Sequence, residues 1–333
     1  MKKNMQVTLT ALAIAASLSL SACGGGGGGN SGSSSGSTSS GTSSSSASTA
    51  TSANVSTPQY SAGSAQLAAF SLLNQERQQC GFPALVENTQ LDSAAAAHAQ
   101  YMSANGGTIT DTEVSPSAGF TGDTYADRAT HFGYPQNVYV GGVSGGYYTN
   151  ATLTNTQYGQ NLVYEWLGGV YHVAIASWPI TSVGVGVSQI SFDGFPEIQG
   201  SLSIANLQPM TTSGPLTFPC QGTTGIAYQE AAESPAPPNT SGAFGTPVSV
   251  TGNPTDTVVL QTGTMTDTSG NVISLQVLNS SSDPNKLIPA FEAVAYPASP
   301  LSPNTTYTVA LSGTYDGTAF SRSFTFTTGN VIG

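Results

Sequence analysis

Few side chains in this sequence can do chemistry, so those that can stand out. There are three histidines, His98, His131 and His172, and 17 acidic residues face 6 basic ones. Asp111 and Glu113 are two apart, which in an extended segment turns both carboxylates the same way. With His172 opposite, such a pair makes a weak oxygen-rich metal site or a proton-transfer site; without it, the pair is two exposed loop acids. Glu165 precedes His172 by two helical turns, so one helix would carry both on one face. Their axial gap, about 10.5 Å at 1.5 Å per residue, is too long for one shared metal. That leaves Glu165 as a cleft-lining acid or a solvated one. Catalytic zinc usually takes three protein ligands at about 2.0–2.2 Å. His98 lies in Ala97-His98-Ala99 as a packed core residue would, and His131 sits beside Phe132 at a surface or core position. Gly142-Val143-Ser144-Gly145-Gly146 fits G-x-S-x-G, but a nucleophile elbow needs a strand before it and a helix after it. The residues that follow, Tyr147 to Thr154, are β-prone, and 39 glycines make a chance match expected.

The elements that must position these residues can be read from periodicity. Ala65 to Cys80 carries Leu67, Phe70, Leu72 and Leu73 and stops at Gly81, which predicts a short amphipathic helix. Gln90 to Asn105 predicts a second, stopped by Asn105-Gly106-Gly107. Asp123 to Phe132 is a third. Gln157 to about Ala176 is the fourth and longest, closed by Pro179. Strand-like pieces fall at 137–140, 182–187 and 197–204. Helices mixed with a few strands, without regular βαβ alternation, predict an α+β region over residues 60–225. Residues 226–245 are proline-rich and read as a stiff linker. From 246 to 333 the pattern is all β, with strands at 248–250, 257–260, 271–277, 306–311 and 321–326. Asp316-Gly317 makes a hairpin turn between the last two.

Composition bounds where the protein works. Lys2 and Lys3, an apolar run from Val7 to Leu20 and Ser21-Ala22-Cys23 describe a secretory signal over residues 1–22. The run is too short for a membrane span of about 20 residues. It resembles a bacterial lipoprotein signal, which implies that Cys23 is lipidated and anchors the protein to a membrane. Gly24 follows where inner-membrane retention would place Asp, so the resemblance favours the outer membrane. Residues 23–58 are nearly all Gly, Ser, Thr and Ala, a flexible tether with a reach of roughly 30–35 Å. Of the three cysteines, Cys80 and Cys220 remain, and in an exported chain they most simply pair. Without Lys2 and Lys3, 4 basic residues face 17 acidic ones. That excludes nucleic acid as a partner, which needs Lys/Arg patches.

One order of features resembles a known family. Leu73-Asn74-Gln75-Glu76-Arg77 precedes Cys80-Gly81, and Leu91 heads an alanine-rich helix containing His98. Gly119-Phe120-Thr121-Gly122, Asp127-Arg128 and Gly133-Tyr134 follow, then Trp166, Tyr171-His172 and Gly184-Val185-Gly186. This resembles the bacterial branch of the CAP superfamily (cysteine-rich secretory proteins, antigen 5 and pathogenesis-related proteins). The resemblance implies an α-β-α sandwich with a central cleft, which in many members holds two histidines and two acids able to bind a divalent metal such as zinc. His172 matches the later histidine. Asp111 and Glu113 stand near where the earlier histidine and a glutamate are usual, and 140–143 lacks a further glutamate. The activities it implies are diverse: lipid or sterol binding, signalling and hydrolysis. The expectation is a module that binds a lipid or cell-envelope component. The rivals are a metal-assisted hydrolase using His172, Asp111 and Glu113, and a structural adhesion module. Pro300 to Tyr307 resembles the approach to a strand in bacterial immunoglobulin-like sandwiches, which implies a tyrosine-corner role for Tyr307.

Overall fold

The computed structural model describes residues 50–212 and 214–333. The signal segment, Cys23 and most of the tether lie outside the described residues. Where the tether is described, it is not free. Asn54 bridges to Asn88, the Val55 N–H reaches the Glu87 carbonyl, and Ala50 is fully buried. Residues 50–55 therefore leave the tether and join the folded body.

Helix α1 spans Ala65–Gln79 and is capped by the Ser64 hydroxyl on the Leu67 N–H. Strand β1, Val86–Glu87, leads into α2, Thr89–Ala104, capped by Asn88. Helix α3, Tyr125–His131, opens on a Thr124/Asp127 capping box. Strand β2 is Val140–Tyr148, and α4, Asn155–Gly168, opens on a Thr154/Gln157 box. These caps satisfy N–H groups that each helix start leaves open. The short α5, Ala174–Ser177, precedes the long hairpin of β3, Ile180–Phe192, and β4, Phe195–Leu207. The first sheet has the order β1-β3-β4-β2, with β1 parallel to β3 and the other pairs antiparallel.

Helices cover both faces of this sheet. On one face α2 crosses β3 at Gly184 and Gly186, where a Cβ would lie 2.1 Å from the backbone of Leu91 and of Ala95. On the other face, Leu162 and Trp166 of α4 pack over Gly200 in β4. The expected α+β class holds, and the expected fourth helix does not. It breaks at Gly168-Gly169, where Gly169 is extended, and the chain re-enters a helix only at Ala174. The predicted strand at 137–140 in fact begins at Val140 and runs to Tyr148.

The second region builds two more sheets. One has the order β10-β11-β7-β5, from Gln276–Asn279, Glu292–Tyr296, Val248–Thr251 and Leu216–Phe218. The other is β6-β13-β12-β8-β9, from Thr224–Ile226, Thr318–Thr328, Thr306–Tyr315, Val258–Asp267 and Val272–Ser274. Asp316 and Gly317 both take positive φ in the hairpin between β12 and β13, as that turn demands. The Tyr307 hydroxyl accepts the Ser302 N–H at 2.8 Å. Strand β5 lies before residue 225 and β6 straddles it, yet both pair inside these sheets, so the expected boundary at 225 does not divide the sheets. The stretch 226–245 is not a spacer either. Glu230 pairs with Phe244, and Glu230 and Glu233 are both buried.

The two regions share one continuous apolar core, in which Trp178 packs against Phe291 with ring centroids 5.3 Å apart. The disulfide Cys80–Cys220 joins the end of α1 to the loop after β5 across 140 residues. Closing so long a loop restricts the unfolded chain, nominally by about 4–5 kcal/mol, with about 2–4 typical. Replacing both cysteines by alanine is therefore expected to lower the unfolding free energy in urea by about 3 kcal/mol. A change under about 1 kcal/mol would show that the bridge adds little to the shared core. No helix among the described residues is long and apolar enough to cross a membrane.

Candidate functional site

The break between α4 and α5 builds the centre of the site. Residues 169–173 leave the helix, and the buried Glu233 catches their free backbone donors. Its carboxylate accepts the N–H groups of Val170 and Tyr171 at 2.8 Å each and of His172 at 3.2 Å. The same segment is held from the second region. Tyr171 donates to Asp283, while Ser177 and the Trp178 indole donate to Glu292 at 3.1 and 2.6 Å. His172 is thereby fixed and enclosed. Its Nδ1 lies 3.8 Å from Glu233 Oε1, its Nε2 is buried without a hydrogen-bond partner, and burial pushes its pKa down to about 4. Glu233 is pushed up to about 8, by burial first, against its three backbone donors. At neutral pH this is a neutral imidazole beside a largely protonated acid.

Asp111 and Glu113 do not act as a pair. Both are buried, so neither is an exposed loop acid. Asp111 accepts the Tyr125 hydroxyl at 2.7 Å and the Ser144 N–H at 3.0 Å, and burial raises its pKa to about 7. Glu113 turns elsewhere. It takes the Thr121 N–H at 2.5 Å and faces His98 Nδ1 at 3.0 Å and Arg128 Nε at 3.9 Å. Burial alone would raise the Glu113 pKa, but the bonds from His98 and Thr121 and the Arg128 charge bring it down. His98 Nε2 meets the Thr110 carbonyl at 2.7 Å, so both ring nitrogens of this core histidine face acceptors. His131 is exposed and packs edge-on against Phe132.

The site expected from His172, Asp111 and Glu113 is therefore not assembled, because each of the three is committed to different neighbours. Among the described residues no group of three or more His, Cys, Asp and Glu side chains could hold a metal ion. The donor set does not fit zinc. Ser144 is no nucleophile at an elbow: it sits mid-strand in β2 opposite Ser201, with its hydroxyl 2.7 Å from that of Tyr125. The glycines of its motif answer packing needs. A Cβ on Gly142 would strike the Leu202 carbonyl at 2.3 Å, and one on Gly145 would strike the Trp166 indole nitrogen at 2.6 Å.

Glu165 is neither solvated nor on a shared helix face with His172, since α4 ends between them. It is buried, accepts the Gly146 N–H on Oε1 at 2.9 Å, and leaves Oε2 without a partner. Glu230 approaches from the second region and also has a buried, unpartnered Oε2. Burial raises Glu165 to about 7; it raises Glu230 well above the carboxylate range, helped by the charges of Glu165 and Glu233. Both acids line a cavity of about 550 Å³, with Tyr147 and Tyr148 of β2 and Val331 and Ile332 after β13 among its walls. That volume lies in the range of small-molecule sites. The sequence holds no local signal for Glu230 or Glu233; they are acids in a stretch whose prolines read as linker.

No curated protein matches the chain. The family model that does match is that of CAP, the cysteine-rich secretory protein family, over residues 70–198, from α1 into β4. The matched segment, which holds α2 against the sheet, the α4–α5 break and His172, is similar to that family.

Proposed function

We propose that the protein is a lipid-anchored envelope protein whose CAP domain binds a small ligand in the cavity between β2, α4 and the Glu230 segment. The observation that supports this most is the cavity itself: about 550 Å³, lined by Glu165 and Glu230 together with Tyr147, Tyr148, Val331 and Ile332. The two acids in its lining disfavour an acyl chain as the occupant, which would set them against an apolar group. Catalysis is the weaker reading. A general base must reach a reacting proton, and His172 is enclosed with no nucleophile within its hydrogen-bond partners. In this proposal Cys23 carries the lipid, the Gly/Ser segment is the tether, and the two C-terminal sheets form an immunoglobulin-like sandwich that walls the binding site.

Native mass spectrometry on the full chain purified from the envelope tests this. The expected spectrum shows a chain that starts at Cys23 with an acyl increment, plus a small-molecule mass that leaves on denaturation. A bare chain in every preparation would end the binding reading and leave an adhesion module.

A further inference from the structure

We propose that the open edge of β2 beside the cavity takes an extended peptide segment, which pairs through its main chain with Gly146 and Tyr148. This rests on the binding reading above and names the class of ligand.

Strand β2 is the last strand of its sheet, so one side pairs with β4 and the other has no strand beside it among the described residues. Successive residues of a strand direct their N–H and C=O groups to opposite sides. Odd-numbered residues of β2 turn towards β4, and just past the strand the Thr149 N–H still bonds the Pro196 carbonyl at 3.1 Å. Even-numbered residues turn outward. The Ser144 N–H meets the Asp111 carboxylate at 3.0 Å, and the Gly146 N–H meets Glu165 Oε1 at 2.9 Å. Two side chains thus stand where a further strand would run, and they stop pairing along the first part of the edge. Beyond them the edge is open. The Gly146 carbonyl and the Tyr148 N–H and carbonyl point to the same side, and among the described residues no hydrogen bond reaches them from outside the sheet. This side is the cavity side: Glu165, which caps the edge, lines the cavity together with Gly146, Tyr147 and Tyr148. The end of the edge is also accessible, with Gly146 partly exposed and Tyr148 49% exposed.

An unpaired strand edge is a template for another chain. The open groups run acceptor, donor, acceptor along the edge, and an extended peptide backbone complements that order. Whichever way the peptide runs, two of its amides, two residues apart, donate to the Gly146 and Tyr148 carbonyls, and one of its carbonyls accepts the Tyr148 N–H. Its side chains then alternate in direction, and those on one side meet the apolar cavity wall at Val331 and Ile332, the latter 53% exposed. Main-chain bonds supply affinity in such pairing, and pockets for alternate side chains supply selectivity. No Lys or Arg lines the cavity. An acidic segment would find no counter-charge there, so the edge suits an uncharged or basic one. Because β2 belongs to the first sheet and Val331 and Ile332 to the second region, the site forms only when both regions are in place.

The test titrates the full chain with the peptide Ac-Thr-Val-Thr-Val-Thr-amide by isothermal calorimetry. The peptide is uncharged, so attraction to an acidic chain cannot account for its binding. Saturable binding is expected, and methylating every main-chain amide nitrogen of the peptide should abolish it. Tyr148→Pro removes the outward N–H and leaves the ladder to β4 its bonds, and an edge strand tolerates proline in that orientation. It should weaken the peptide about fivefold more than Tyr148→Ala, which loses the same ring and keeps the N–H. No saturable heat up to about 10 mM peptide would overturn the proposal. Equal binding of the methylated peptide would too, because the main chain would then not be read. Equal affinity in the two folded Tyr148 variants would place the peptide away from this edge and also sink it. The two peptides decide the matter even if Tyr148→Pro fails to fold. A non-peptide occupant of the cavity found by native mass spectrometry would end this inference while the binding reading stands.

Discussion

Arg77→Ala is expected to lower the unfolding free energy by about 4 kcal/mol or more, measured by urea denaturation. Arg77 is fully buried in α1 and carries no ion pair among the described contacts. Its guanidinium instead donates to four carbonyls: Ile175 at 2.7 Å, Trp178 at 2.9 Å, Ile180 at 3.1 Å, and Pro83 from two nitrogens at 3.0 and 3.2 Å. Burial lowers its pKa to about 9, which still leaves it charged at neutral pH. Two effects compete in the substitution. Removing a buried charge returns its desolvation cost. Against that, four buried carbonyls lose a charge-assisted donor, and a space the size of the guanidinium opens. The second effect wins because the Ile175, Trp178 and Ile180 carbonyls stay buried between α5 and the start of β3. Arg77→Lys keeps the charge but lacks the planar fork, so it should recover only part of the loss. A drop under about 1 kcal/mol for the alanine variant would show that the α5–β3 turn holds without the arginine. The consequence would reach the site, since this turn continues directly from the segment that Glu233 grips.

Arg77 also shows what can be read from the sequence and what cannot. It lies in a stretch that carries the family resemblance, but nothing local says that its partners are about a hundred residues away. Features fixed locally are legible. Helix α2 is an alanine-rich run that Asn105-Gly106-Gly107 must stop, and Asp316-Gly317 has the backbone freedom its hairpin needs. The Cys80–Cys220 bridge follows from there being two cysteines left to pair. Features fixed by tertiary contact are not legible. The α4–α5 break is stable because Glu233, 61 to 63 residues away, takes the exposed N–H groups. Strand β11 escapes the periodicity because all five of its residues are buried, so Glu292-Ala-Val-Ala-Tyr shows no alternation. Glu230 and Glu233 read as part of a linker for a related reason. Prolines report local stiffness, whereas burial of those acids depends on a groove built by residues 145–172. The metal site inferred from Asp111, Glu113 and His172 fails because period-two spacing fixes facing only in a regular strand, and 111–113 is a loop with separate partners for each acid.

The melting temperature should fall by on the order of 10 °C between pH 5 and pH 8. Burial raises Glu76, Asp111, Glu165 and Glu292 to about 7 and Glu233 to about 8. Glu230 is raised further still. In the unfolded chain these groups titrate near 4. Between about pH 4 and pH 8 the folded state therefore holds more protons than the unfolded one, and stability falls as pH rises through that window. His172 has the opposite sign. Its folded pKa, about 4, lies below the unfolded value near 6.5, so its contribution is present above 6.5 and is lost as pH falls towards 4. The histidine thus opposes the acids only below about pH 6.5. Above that, the acids act alone and the slope is downward. A tenfold change in the proton affinity of one acid on folding is worth about 1.4 kcal/mol, a sizeable part of a total stability of roughly 5–15 kcal/mol. Differential scanning calorimetry in matched buffers reads the slope directly. Glu230→Gln and Glu233→Gln remove a titrating group without changing size, so each should flatten the slope above pH 6.5. A melting temperature that is level or rises from pH 5 to pH 8 would mean that these carboxyls ionise inside the fold without penalty.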